Sequence, residues 1–167
     1  MTKTKRIALN AVFAAIALLL FMVEAQIPAV VPIPGIKLGP ANIMTLVAMQ
    51  LFGKKDAASV LFVRVTLGAV LAGNASSFLF SSAGALFCFL LLCALQKLSI
   101  PIWAQSVCGA TAHNIGQLLV AAVYMHTKSV LWYFPFLLLA AIISGSFTGL
   151  CAQYSIRSFQ KRGDKIV

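Results

Sequence analysis

The sequence predicts an all-α fold, a polytopic membrane protein of six transmembrane helices, and three observations predict it. Of the 167 residues, 61% are hydrophobic and 10% charged, against about 45 to 50% and about 25% in soluble domains. The apolar residues gather into runs close to the roughly 20 residues that cross a hydrocarbon core as helix. The basic residues, 13 Lys and Arg against 3 Asp and Glu, fall almost entirely between those runs. Six such helices use roughly 120 positions, so residues 1–167 are expected to form one integral membrane domain with short loops.

The first span covers 7–23, interrupted by Asn10 alone and closed by Glu24. It is too uniform for a secretory leader, and further spans follow. The segment AQIPAVVPIPGIKLG cannot be regular helix, because each proline removes a donor and restricts the residue before it. It reads as a structured loop or lid. The second span, 40–52, has Pro40 well placed at a helix start and stops at Gly53, Lys54, Lys55 and Asp56. It is too short to cross unaided, which predicts a sunken start or a loop that continues it. The third span covers 57–72, the fourth 78–98, the fifth 100–125 and the sixth 130–156, followed by the polar tail SFQKRGDKIV.

With the N-terminus inside, the inner side collects Lys3, Lys5, Arg6, Lys54, Lys55, Lys97, Arg157, Lys161, Arg162 and Lys165, and the outer side only Lys37 and Lys128. This asymmetry orients the chain by the positive-inside rule, with both termini cytoplasmic. The basic excess then needs no nucleic-acid partner. Trp103, and Trp132 with Tyr133, fall near span ends, where interfacial aromatics belong. Cys88, Cys93, Cys108 and Cys151 lie in apolar stretches without CxxC or His-paired spacing, which points to buried small hydrophobes rather than disulfides or a metal site.

The chain lacks a GxxxxGK[ST] loop, an HExxH and any acid pair within a span. It is therefore not expected to hydrolyse ATP or to use a cofactor. No intramembrane carboxylate is expected as an ion relay, so energy for uphill movement would come from a partner. Arg64 is the one charge inside a predicted span, at a cost of about 2.5 to 3.5 kcal/mol for a central position. Either it holds helices together through backbone groups, or it meets an anionic ligand. Span five carries Ser106, Thr111, His113, Asn114 and Gln117. At 100° per residue Ser106, Ala110, His113, Gln117, Ala121 and Tyr124 share a face, with Asn114 on its edge. Such a face either lines a small-molecule pocket or bonds helices together at about 0.6 kcal/mol per contact. Three long polar side chains so close together exceed what helix bonding needs.

Lys37 precedes Asn42 near a predicted helix start, where the N-terminal dipole attracts an anion; the alternative is a solvated loop lysine. Ala8, Ala11 and Ala15 make a smooth stripe on the first span, and Gly145 and Gly149 form a GxxxG in the last. Small residues permit close helix approach. The alanine stripe serves internal packing or docks a separate membrane subunit.

PIPGIKLGPANIMTL after the first helix, Arg64 in the third, SVCGATAHNIGQLLVAA in the fifth and FPFLLLAAIISGSFTG in the last together resemble the Gx transporter family, also labelled heptaprenyl diphosphate synthase component I. That family is similar to the substrate-binding S-components of energy-coupling factor (ECF) vitamin transporters. The resemblance covers nearly the whole chain. It implies a six-helix S-component in a bacterial plasma membrane that captures a small vitamin-like or cofactor-precursor molecule from outside. Lys37, Asn42, Arg64, His113, Asn114 and Gln117 are the expected contacts. It also implies docking, through Ala11 and Ala15, onto a transmembrane coupling subunit driven by two cytoplasmic ATPases. The synthase label fits less well, since prenyl transfer uses Asp-rich magnesium sites and the three acids here are unclustered. The competing expectation is a membrane accessory subunit of isoprenoid or quinone synthesis or of an electron-transfer assembly.

Overall fold

The protein is described here by a computed structural model, covering residues 3–26, 41–73 and 75–163. Six α-helices carry these residues: α1 (Lys3–Gln26), α2 (Asn42–Phe52), α3 (Lys54–Ala72), α4 (Ala75–Leu95), α5 (Ile102–Tyr124) and α6 (Phe134–Gly163), with a 3-10 turn over Lys128–Tyr133 leading into α6. No strand occurs among the described residues. Four segments, Lys3–Gln26, Phe78–Leu95, Ile102–Tyr124 and Lys128–Lys161, are long and apolar enough to cross a membrane. By contrast, α2 has 11 residues, a length of about 16 Å. α3 carries Lys54, Lys55, Asp56 and Arg64 within its 19 residues.

Helix ends depart from the apolar runs for local reasons. α1 continues past the predicted 7–23 in both directions, and its C-terminal end takes in Glu24. α3 begins three residues early, because Asp56 in its first turn suits the positive end of a helix. α5 starts at Ile102 because Pro101 is extended (φ −61°, ψ 148°) and a residue before proline avoids helical angles. α6 runs through Arg157 and Lys161 into the polar tail, where cations suit the negative end of a helix. Gly53, at φ 94°, makes the abrupt junction between α2 and α3 and donates to the Met49 carbonyl at 3.1 Å.

Side chains fix which ends lie together. Arg6 of α1 meets Asp56 of α3, Lys54 donates to the Cys93 carbonyl of α4 at 3.0 Å, and Gln50 of α2 donates to Gln105 of α5 at 2.9 Å. Phe13 packs edge-on against Phe159 of α6 with centroids 6.1 Å apart. Most of the described basic residues therefore gather at one end of the bundle, the basic end. Gln96 also donates to Met49 O at 3.1 Å and Arg6 to Phe52 O at 3.3 Å. Arg6 thus serves the Phe52 carbonyl at the end of the short α2, and Gln96 is a second donor to the Met49 carbonyl that Gly53 already meets.

Two apolar clusters flank the middle. Phe13, Leu46, Met49, Val60, Leu92 and Ile156 pack at the basic end, and Phe80, Leu118, Val130 and Leu137 at the other. α5 runs between α4 and α6, and the GxxxG is what brings α6 close. A Cβ on Gly145 would lie 2.7 Å from Val107 Cα, and one on Gly149 2.6 Å from Trp103 Cα. Outside, the surface is apolar: Ile7, Phe62, Val123, Ile143 and Phe147 are each at least 70% exposed, as a bilayer-facing surface requires. Trp132 is exposed and Trp103 partly so. The four cysteines are unpaired; Cys88 is buried, but Cys151 is exposed on α6, contrary to the expectation that all four are buried.

Candidate functional site

Between the two clusters lies a polar layer. Arg64 stands ten residues into α3, His113 eleven into α5 and Asn42 ten from the end of α2. At 1.5 Å per residue, all three sit about 15 Å from the basic end, half the thickness of a hydrocarbon core of about 30 Å. Arg64 Nη2 donates to Asn42 Oδ1 at 2.9 Å, and Asn42 Nδ2 meets His113 Nδ1 at 3.0 Å. The His113 ring packs directly on the Gly84 backbone of α4, where a Cβ would lie 2.6 to 2.9 Å from the ring atoms. Arg64 is 3% exposed, His113 2% and Asn42 8%. Three of the predicted contacts, from three different helices, thus form one connected chain.

Asn114 and Gln117 are buried on the same helix. Asn114 turns toward α6, where Nδ2 donates to Leu137 O at 2.9 Å. Lys37 lies outside the described residues. Of the predicted face of α5, Ser106, His113, Gln117 and Ala121 are buried, while Tyr124 is exposed. Ser106 shares a hydrogen bond of 3.1 Å with Thr148 of α6.

The layer leaves two valences open among the described residues. Arg64 Nε and Asn114 Oδ1 are both buried without a hydrogen-bond partner, and each such group is costly, by about 1 to 3 kcal/mol. A cavity of about 20 Å³ adjoins the layer, lined by Asn42, Cys88, Ser106 and Thr148 among others, room for about one water molecule.

Two residues of this region escape the sequence reading. Glu24 closes the first apolar run and so reads as a span end. Yet α1 continues to Gln26, and Glu24 is 7% exposed and within electrostatic reach of Arg64. The expectations that Arg64 is the one charge inside a helical span and that no carboxylate lies there are corrected accordingly. Gly84 is the other: a Cβ there would lie 2.6 Å from His113 Cε1, so only glycine leaves the imidazole its place.

The small-residue stripe on α1, Ala8, Ala11 and Ala15, is exposed along its length. Ala14 is buried, whereas Ala11 and Ala15 are exposed and line an apolar groove of about 570 Å³ between α1 and α3, whose far wall includes Val60, Val63 and Leu67. The family model described as heptaprenyl diphosphate synthase component I matches residues 13–155. No curated protein matches the chain.

Proposed function

The chain belongs to the heptaprenyl diphosphate synthase component I family, and on that footing we propose that it is the substrate-binding S-component of an ECF-type importer in a bacterial plasma membrane. In this reading all six helices are embedded, with the basic end and both termini cytoplasmic, as the positive-inside rule asks. A small vitamin-like or cofactor-precursor molecule arrives from outside and is held at the polar layer, where Arg64 and Asn114 offer it open groups and Asn42, His113 and Gln117 complete the polar surroundings, with Lys37 expected as a further contact. A transmembrane coupling subunit, driven by two cytoplasmic ATPases, docks on the face that carries Ala11 and Ala15.

The observation that carries the reading is the buried Arg64 guanidinium with its unmatched Nε. A substrate that offers an acceptor there, and a donor to Asn114 Oδ1, removes two unpaired groups at once. The protein is a binder in this reading and not an enzyme. Asp56 is engaged by Arg6 and Asn10, and Glu24 lies toward Arg64, so these acids do not converge as the carboxylates of a prenyl-transfer site.

Mass spectrometry of small molecules released from purified protein tests the assignment. One compound is expected to copurify with the wild type and to fall by about tenfold or more with Arg64→Ala, a loss of about 1.4 kcal/mol or more. Equal recovery from both proteins removes Arg64 from the site.

A further inference from the structure

We infer that His113 is a positioning residue: locked as its neutral Nε2–H tautomer, it orients the Asn42 amide and, through Asn42, holds Arg64 with Nε turned to the substrate. The inference deepens the site proposed above and rests on Arg64 as a substrate contact. A guanidinium has only donors, so the Asn42 atom 2.9 Å from Arg64 Nη2 is the amide oxygen. The amide nitrogen is therefore the atom that meets His113 Nδ1 at 3.0 Å. Because that nitrogen donates, Nδ1 is the bare ring nitrogen. A neutral imidazole with a bare Nδ1 carries its one N–H on Nε2. Each assignment is forced by the one before, starting from a group that cannot accept.

The consequence concerns which atoms are left for a ligand. Nδ1 of His113 is engaged by Asn42, and the residue is 2% exposed. Asn42 gives its oxygen to Arg64 and an N–H to His113. Only Arg64 Nε stays unmatched in this chain of groups. The steric frame agrees, since the ring packs onto the bare Gly84 backbone, where a Cβ would lie 2.6, 2.8 and 2.9 Å from Cε1, Nδ1 and Nε2, and so has no room to move toward α4.

Nitrogen NMR of the full-length, substrate-free protein in lipid nanodiscs, labelled at histidine and arginine, tests this directly; the chain has two histidines. His113 is expected to show a bare Nδ1 and a protonated Nε2. Asn42→Asp, which can only accept, is expected to place a proton on Nδ1. His113→Asn keeps an acceptor near Asn42 and is expected to preserve a slowly exchanging Arg64 Nε–H, whereas His113→Leu speeds that exchange by about tenfold or more. A proton on Nδ1 in the wild type, a bare Nδ1 in Asn42→Asp, or equal exchange in the two His113 variants overturns the relay. These signals are read without substrate. A failed relay thus leaves the Arg64→Ala copurification result standing, and the converse holds.

Discussion

Asp56 accepts from three atoms of α1: Arg6 Nε at 2.9 Å, Asn10 Nδ2 at 2.6 Å, and Arg6 Nη2. The hydrogen bonds from Arg6 are the largest influence and hold its carboxyl below the ordinary 3.8, with burial acting the other way. A carboxyl whose folded-state pKa is lowered adds stability above its unfolded value and loses it as pH falls through the folded one. The melting temperature of the wild type is therefore expected to drop below about pH 4, while Asp56→Asn is less stable at neutral pH and lacks that component. Parallel pH profiles of the two proteins contradict this role. At the same scale, Arg64 was legible in the sequence because an intramembrane charge demands a reason. Its partners were not, since they stand 22 positions away for Asn42, which in turn meets His113 across 71.

Apolar runs give away the helices, because bilayer-embedded backbone must satisfy itself within each segment. Their ends depend on neighbours. Glu24 looks like a terminus beside a proline-rich segment, yet it belongs to a helix that runs two residues further. The short α2 ends at Gly53, whose N–H meets the Met49 carbonyl, while Arg6 comes from another helix to meet the Phe52 carbonyl and Gln96 adds a second donor to Met49. The GxxxG of α6 is recognisable as a close-contact motif, but the helix it meets was open until α5 was seen against it. Gly149→Ala is expected to force α5 and α6 apart, since the new Cβ meets Trp103 Cα at 2.6 Å and Ser106 Cβ at 2.8 Å. The cost is about 1 to 3 kcal/mol, with loss of the Ser106 to Thr148 bond. Leu150→Ala, on the exposed face of the same helix, is the control and is expected to be near neutral. Unfolding of both variants in denaturant checks the contrast.

On the scale of the whole molecule, the polar layer and the α1/α3 groove are separate surfaces, so the proposed function predicts that binding and coupling separate by mutation. Ala11→Trp fills the groove at an exposed position and is expected to abolish uptake in cells that contain the coupling subunit and ATPases. Recovery of the copurifying molecule stays unchanged; uptake that survives rejects docking through this face. Composition and run length determined by themselves that this is a helical membrane protein, because every residue facing lipid must be apolar whatever its neighbours are. Charge rarity singled out Arg64 in the same way. Only the tertiary structure decided that Asn42 and His113 are its relay, that Gly84 makes room for the imidazole, and that Glu24 lies buried toward the layer. Those relations join helices distant in sequence, and no local pattern encodes which polar atoms will share one level of the bundle.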